Sequence, residues 1–457
     1  MTNNNNNSKN IEGITGDPKK AILKISFPMM LSLALTMFYN LINSIWVSGL
    51  GPNALSAIGL ITPLFMTLIG LGTGIGAGAN SVISRYIGAE NYKQANNTGI
   101  HAIFVCILVS IIFTFIILIF IKPLLIFLNV GGALNYALDF SYIAFSFLIL
   151  FTYSNVVAAI FRAEGNIKRV ISVLCLSSVL NFILDPIFIY TLNLGIKGSA
   201  WATVLSVLFS SIIFSYWIWV KRVVFLDLTY KNFFFKPQLI KNIFNVAIPY
   251  ILENLILAAL FFIINSLVLQ VSSTMSFAVC SASLQILIYA IMPANGISIA
   301  ILTAAGVAYG ARNPENLNTT FSYSIKLGFL FSLLTAIIMF LFSSQIASLF
   351  TYNSTNAMLR PQISQTLSLL SLYVLAYTPG VMASSLFQGV GKGGYSFILI
   401  SVKSLLLESI CAYIFGLIFG WGVQGIFIGL IFGCFLGSLL GFIWTKIFLH
   451  RFKKKCT

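Results

Sequence analysis

Residues 99–122 read GIHAIFVCILVSIIFTFIILIFIK, an apolar run that contains no charged side chain before Lys122. A helix of about 20 such residues is long enough to cross the hydrocarbon core of a bilayer. The whole chain has this character, since 58% of its 457 residues are hydrophobic, 8% are charged and the mean hydropathy is +0.97. Soluble domains carry about 25% charged residues. The sequence therefore predicts an integral membrane protein.

Apolar runs of this length recur along the chain and predict twelve transmembrane helices in two sets of six. The predicted spans are 22–48, 54–84, 99–122, 135–161, 169–192, 197–220, 243–270, 276–308, 320–343, 362–389, 395–418 and 422–447. We therefore predict an all-α membrane fold of two six-helix lobes. The predicted segments are a tail 1–20, an N-lobe 21–220, a cytoplasmic linker 221–241, a C-lobe 242–449 and a basic tail 450–457.

The positions of Lys and Arg predict the orientation. The chain holds 26 of them against 10 Asp and Glu, and with a cytoplasmic N-terminus all but Lys122, Lys197 and Arg360 fall in cytoplasmic segments. Lys403 is assigned to such a segment, and no Lys or Arg is expected at the centre of a span. Basic residues scattered over short loops do not form a nucleic-acid-binding face. We expect a multi-pass protein of the inner, cytoplasmic membrane with both termini in the cytoplasm.

The two sets of six spans are related in sequence at an offset that drifts slowly from 222 to 227. The matches pair Ile42-Asn43-Ser44 with Ile264-Asn265-Ser266, Gly74-Ile75 with Gly296-Ile297, Gly88-Ala89 with Gly310-Ala311, and Gly195-Ile196-Lys197-Gly198 with Gly422-Val423-Gln424-Gly425. Shared hydropathy would not place the Asn and Gly residues. Parallel repeats of this kind are typical of transporters whose halves enclose a substrate cavity. Glycine also recurs every four residues from Gly425 to Gly441, which predicts close helix packing.

Three acidic residues, Asp185, Glu253 and Glu408, lie well inside predicted spans. A charge at the bilayer centre costs ~2.5–3.5 kcal/mol on insertion scales, so acids at such positions are usually functional or paired. Asn181 lies four residues before Asp185 on the same helix face, and Pro186 frees a backbone carbonyl. These oxygens could hold Na⁺, and a buried carboxylate can also bind and release a proton. Alternatively, Asp185 bonds to neighbouring helices as part of the packing.

The second half contains the other two acids. Glu253 follows Pro249 by four residues, and Glu408 falls at the place of Asn181 under the repeat offset. Each either contacts substrate or ion, or is paired structurally. The remaining polar candidates for the cavity are Asn40, Asn43 and Gln285. The two asparagines either line the cavity or bond between helices.

Five strings resemble segments of the multidrug and toxic compound extrusion (MATE) transporter family, prokaryotic branch. They are 39–51 (YNLINSIWVSGLG), 83–89 (ISRYIGA), 161–166 (FRAEGN), 181–186 (NFILDP) and 388–392 (QGVGK). The resemblance extends from about residue 21 to residue 449 and so covers almost the whole chain.

The resemblance implies a V-shaped twelve-helix exporter that exchanges Na⁺ or H⁺ for amphipathic, often cationic small molecules. We also expect a monomer that contacts membrane lipids. It implies an N-lobe cation site at Asn181 and Asp185, with Thr203 in the place of a helix-six threonine. Glu253 matches a helix-seven acid that other branches use for cation coupling or substrate binding. Asn43 is a departure, because many relatives have an acid there. An amide can bind Na⁺ through its oxygen but cannot carry a proton.

The sequence thus predicts a secondary active multidrug exporter that works by alternating access. It contains no P-loop, HExxH or GxSxG motif, so we expect no enzymatic activity and no cofactor beyond the coupling ion, Na⁺ or H⁺. The alternative is a flippase of lipid-linked oligosaccharides or lipids from the same superfamily. A flippase would need a basic cavity for pyrophosphate, whereas the predicted span centres contain no Lys or Arg.

Overall fold

The computed structural model describes residues 11–127, 131–229, 233–272, 274–350 and 358–456, and those residues form helices and connecting turns without strands. Within these described ranges, eleven helices are long and apolar enough to cross a membrane. The count rises to twelve when the pair Gly131–Ser146 and Leu148–Ala163, bent by 50°, is taken as one span. The predicted all-α membrane fold is therefore confirmed.

The helices of the first half follow the predicted spans closely. They are Pro18–Ser48, Pro52–Gly88, Tyr92–Phe127, Leu134–Ser146 with Leu148–Ala163, Ile167–Pro186 and Ile196–Ser215. The last two continue as π-helical turns, Ile187–Thr191 and Tyr216–Val220. We number the spans one to six in this order.

The helices of the second half form spans seven to twelve. They are Pro237–Val271, Thr274–Ala290 with Met292–Gly310, Pro314–Leu341, Arg360–Gly389, Gly393–Ile418 and Gly422–Cys456, with a short helix Ser343–Phe350 after the ninth span. The predicted eighth span, 276–308, is two helices that meet at Ile291. Pro293 follows this break, and its lack of an N–H suits the first turn of a new helix.

The chain forms two compact units, each with its own apolar core. One comprises Leu31–Ile251 with the described residues up to Gly16, and the other comprises Asp17–Met30 with the chain from Leu252 onward. Residues of the first and seventh helices are thus divided between the units. The lobe boundaries 21–220 and 242–449 remain a prediction.

The eleventh span departs from a regular α-helix. It begins as an α-helix over Gly393–Ile400, becomes a π-helix over Ser401–Glu408, returns to an α-helix at Ser409–Tyr413 and ends in a second π-helical stretch, Ile414–Ile418. The fifth span has the terminal π-helical stretch but not the earlier one. This difference decides which side chains of the eleventh span share a face.

The segment between the sixth and seventh spans is held by hydrogen bonds to the third span and to Glu164, which follows the fourth span. The Glu164 carboxylate accepts the backbone N–H groups of Phe225 at 3.1 Å and Leu226 at 3.0 Å. The buried ring of His101 accepts the N–H of Lys236 at its Nε2 atom, at 3.0 Å. Glu164 lies between spans, and burial raises its pKa to about 8 although the two N–H groups act in the opposite direction.

Candidate functional site

Asp185 and Asn181 form the centre of the first-half site. They lie one helical turn apart on the fifth span, and both are buried, with 1% and 2% of their surface exposed. Both carboxylate oxygens of Asp185 and the amide oxygen of Asn181 lack a hydrogen-bond partner among the described residues. Burying polar atoms without partners costs free energy, and an unpaired charge costs the most. The three oxygens therefore favour a bound proton or a small cation.

Pro186 fixes the local backbone of this site. Its ring nitrogen cannot donate the i to i−4 hydrogen bond, so the Phe182 carbonyl lacks the donor that another residue would supply. The α-helix ends at Pro186, and the next turn is π-helical. Irregular turns of this kind in a helix often occur at functional sites.

A chain of hydrogen bonds joins three of the predicted residues, Asn181, Thr203 and Asn43. Asn181 Nδ2 donates to Thr203 Oγ1 at 3.4 Å, and Thr203 in turn donates to the Ser199 carbonyl at 3.0 Å. The Ser199 hydroxyl donates to Asn43 Oδ1 at 3.2 Å. The bonds thus connect Asn43, Asn181 and Thr203, while Asp185 lies one helical turn from Asn181 on the fifth span. Ser199 was missed in the sequence, although it lies one turn before Thr203 on the same face.

Glu253 belongs to a polar cluster in the second unit. Its Oε2 atom accepts Gln388 Nε2 at 2.9 Å and the Ser384 hydroxyl at 3.3 Å, while Oε1 has no partner among the described residues. The Ser396 hydroxyl lies 2.6 Å from that of Ser384 and also accepts Gln388 Nε2. The sequence predicted Glu253 but not the three partners. Ser384 and Gln388 are one turn apart, which is the signal that could have indicated a shared polar face.

Glu408 forms an ion pair with Lys403, and the position of this lysine corrects two expectations. Its Oε1 atom lies 2.7 Å from Lys403 Nζ, and both side chains are completely buried. Lys403 lies within the span Gly393–Ile418, so its assignment to a cytoplasmic segment is wrong. The expectation that span centres contain no Lys or Arg is wrong for the same reason. The Tyr373 hydroxyl also lies 3.4 and 3.5 Å from the two carboxylate oxygens.

The remaining cavity candidates of the sequence are Gln285 and Asn40. Gln285 is exposed, and its amide donates to the Tyr289 hydroxyl of the same helix at 2.9 Å. The side chain of Asn40 lies outside the described residues. A direct role for either residue stays a prediction.

The described helices are long and apolar enough to cross a membrane many times, and they carry buried polar clusters. The chain matches the MatE family over residues 28–187 and 249–414, which together are most of its length. It belongs to the MatE family. The predicted resemblance is confirmed, and family membership also agrees with the prediction that the protein is not an enzyme.

Curated relatives match part of the chain. The multidrug export protein MepA of Staphylococcus haemolyticus (strain JCSC1435) is 30% identical over 253 residues, 54% of this chain and 55% of MepA. The probable multidrug resistance protein NorM of Thermotoga maritima is 24% identical over 340 residues, 73% of this chain and 72% of NorM. The chain thus spans about half the length of the MepA relatives that it matches.

Solved structures match nearly the whole chain. A crystal structure of MATE in complex with MaL6 superposes with a TM-score of 0.95 and 34% identity, covering 98% of this chain and 99% of that one. A MOP superfamily transporter from Pyrococcus furiosus Vc1 (DSM3638) gives a TM-score of 0.95 and 34% identity, covering 97% and 99%.

Proposed function

We propose that this protein is a multidrug exporter that couples the outward movement of amphipathic, cationic small molecules to the entry of Na⁺ or H⁺ at Asp185. The supporting observation is the set of three buried oxygens on Asp185 and Asn181 that have no hydrogen-bond partner in the described part of the chain. A proton or a Na⁺ ion bound there would neutralise the carboxylate and offset the cost of its burial. The names of the MepA and NorM relatives support drug export.

The proposal includes an orientation and a way of working. Both termini lie in the cytoplasm, because the remaining Lys and Arg residues still fall mainly on one side after Lys403 is moved into a span. Alternating exposure of a central site by the two halves is the behaviour that parallel repeats support. The cluster around Glu253 is the second-half candidate for contact with ion or substrate.

A flippase for lipid-linked oligosaccharides is the less favoured function. Its pyrophosphate group would need positive charge facing a cavity. Lys403 is a cation near the centre of a span, but the carboxylate of Glu408 at 2.7 Å neutralises it. The pair therefore offers an anion no net positive charge.

The proposal is tested by transport in everted membrane vesicles. We expect uptake of a cationic dye when a Na⁺ or H⁺ gradient is imposed, and its loss when the coupling gradient alone is collapsed. Asp185→Asn removes the charge that the cation neutralises, so gradient-driven uptake should fall to the level of vesicles without the protein.

Asp139→Asn is the matched control. The Asp139 carboxylate lies 3.4 Å from Lys197 Nζ in an exposed ion pair, where the charge contributes little. This variant should transport like the wild type. Undiminished gradient-driven uptake by Asp185→Asn would rule out coupling at that residue.

A further inference from the structure

The ion pair of Lys403 and Glu408 lies on the eleventh span, where Glu408 matches Asn181 of the fifth span and so falls one turn before the place of Asp185. Both side chains are wholly buried in the second unit, and the proposed coupling at Asp185 does not use them. Taking two charges out of water is expensive, and the mutual attraction often only balances that cost. The backbone of the eleventh span nevertheless departs from a regular α-helix where it carries this pair.

The eleventh span contains one residue more than the fifth span, its counterpart in the first half. Gly165 and Gly391 precede the fifth and eleventh spans in matching left-handed turns with φ of 73° and 79°, and Gly195 and Gly422 follow the spans with φ of 56° and 65°. The turns are also bonded alike. The Asn166 N–H donates to the Phe161 carbonyl, and the Lys392 N–H donates to the Phe387 carbonyl. The second interval, from 391 to 422, is thus one residue longer than the first, from 165 to 195.

The extra residue explains how the pair forms. In an α-helix, residues five apart point about 140° away from each other. In the π-helix Ser401–Glu408, hydrogen bonds run from i to i+5, so residues five apart lie about one turn apart on the same face. Lys403 and Glu408 are such a pair. The π-helix therefore accommodates the inserted residue and turns the ammonium group toward the carboxylate.

Glycines of the tenth and twelfth spans make room for the lysine side chain. A Cβ atom on Gly437 would lie 2.6 Å from Lys403 Cγ, and one on Gly380 would lie 3.3 Å from Lys403 Cδ and 3.4 Å from Cε. The alkyl chain therefore runs across two glycine surfaces to reach its partner. A longer side chain at either glycine would occupy this path.

The ammonium group is bound as an ion. Nζ lies 2.7 Å from Glu408 Oε1, yet it makes no well-aligned hydrogen bond among the described residues. Nζ lies over two aromatic rings, 4.9 Å from the centroid of Tyr377 and 5.9 Å from that of Tyr373. A carboxylate and two aromatic faces attract a small cation without demanding a fixed set of donors.

We propose that Lys403 is a built-in counter-cation that permanently occupies a monovalent cation site formed by Glu408, Tyr373 and Tyr377. Without its ammonium group, the site takes up a free monovalent cation of similar size, such as ammonium or methylammonium. In the native protein, exchangeable cations therefore do not bind at Glu408. The statement that these cations bind at Asp185 instead rests on the proposed function.

Lys403→Met tests the proposal because it keeps most of the alkyl chain along the glycines and removes the ammonium group. We expect a lower Tm for the purified variant in N-methyl-D-glucamine chloride, since this cation is too large for the site. Ammonium or methylammonium should raise the Tm saturably, by on the order of 5 °C. The wild type should show no such rise.

Lys392→Met is the matched control. Lys392 Nζ also lies over aromatic rings, at 4.6 Å from Tyr395 and 5.1 Å from Phe448, but the structure gives it no carboxylate partner among the described residues. Its variant should not respond to ammonium. A Lys403→Met protein that is as stable as the wild type in N-methyl-D-glucamine, or one that ammonium fails to stabilise, would overturn the proposal.

The double variant Lys403→Met/Glu408→Gln keeps the test decisive if the single variant does not fold. Removal of both charges should restore wild-type stability without any ammonium response, because no carboxylate remains to be neutralised. A double variant as unstable as the single one would show that the lysine stabilises the fold by packing, and would refute the proposal.

The Tm measurements do not depend on transport. Asp185→Asn added to Lys403→Met should leave the ammonium response in place even where dye uptake is lost. Failure of coupling at Asp185 and failure of the site at Glu408 are therefore separate results.

Discussion

The fifth and eleventh spans occupy equivalent places in the two halves, yet the buried acids on them have opposite surroundings. In the fifth span, the two carboxylate oxygens of Asp185 and the amide oxygen of Asn181 find no hydrogen-bond partner among the residues that the structure describes. In the eleventh span, Glu408 has a lysine of its own chain at 2.7 Å. One acid is suited to receive an exchangeable cation, and the other is already neutralised.

The comparison shows that duplication of a fold need not duplicate its chemistry. The turns before and after the two spans have the same backbone conformation. The single extra residue between those turns gives the second half a π-helix, and this changes which side chains face each other. The asymmetry between the halves is therefore set within one helix.

The largest expected effect comes from breaking the ion pair on one side. Glu408→Gln leaves the Lys403 ammonium group buried without an opposite charge, so we expect a loss of about 3–5 kcal/mol of stability. Thermal unfolding of the purified protein measures it. Asp139→Asn, in an exposed ion pair, should change stability by less than about 1 kcal/mol. Equal stability of the two variants would mean that the buried pair contributes no more than the exposed one.

The turns before the two spans differ in a titrating group, since Glu164 of the first turn corresponds to Val390 of the second. The pKa of Glu164 is about 8 in the folded protein, above its ordinary value of 4.5. The folded state therefore holds more protons between these pH values, and stability should fall as pH rises through that window, by at most about 1.4 kcal/mol per pH unit.

Glu164→Gln removes this dependence because the amide does not titrate in that range. The Tm of the variant, followed from about pH 5 to about pH 9, should be flatter than that of the wild type. Val390→Ala, at the matching place in the second half, should keep the wild-type slope. Parallel curves for the wild type and Glu164→Gln would contradict the raised pKa.

A smaller effect is expected from adding a methyl group at Gly437, where the Lys403 side chain packs against the twelfth span. The Cβ of Gly437→Ala would lie 2.6 Å from Lys403 Cγ and 2.9 Å from its Cα, so the eleventh span must shift. We expect a cost of about 1–3 kcal/mol, measured as a lower Tm. Gly59→Ala is the control, because its Cβ would meet no atom within 4 Å. A tolerated Gly437→Ala would show that the two spans can separate freely.

The smallest effect concerns the hydrogen-bond chain of the first half. Ser199→Ala removes the donor to Asn43 Oδ1, which should cost about 1 kcal/mol and weaken the apparent affinity for the coupling cation several-fold. Ser178→Ala removes only a bond to the carbonyl of its own helix and should leave that affinity unchanged. Cation dependence of vesicle transport measures both, and identical curves would exclude Asn43 from the site.

The membrane fold and the position of Asn181 beside Asp185 could be predicted because both follow from α-helical geometry. Hydropathy over about 20 residues located the spans, and the spacing of four between Asn181 and Asp185 correctly placed them on one face. The Lys403–Glu408 pair could not be found in this way, because their spacing of five places them on different faces of an α-helix. A π-helix has no such simple signature in a single sequence.

Small polar side chains were the other source of omissions. Ser199, Ser384 and Ser396 take part in the two polar clusters, but serine is common in these spans. Many of the serines bond only to a carbonyl one turn earlier, as Ser178 and Ser206 do. Only the neighbouring helix shows which serine has a second partner.

The segment between the sixth and seventh spans has a practical consequence for experiments. Its basic residues, among them Lys221, Arg222 and Lys236, suggest an easy target for trypsin or a place to insert a reporter domain. Yet Glu164 holds the N–H groups of Phe225 and Leu226, and proteases need a backbone that is free to enter their cleft. We expect slow cleavage after Arg222 and poor tolerance of insertions at 225–226.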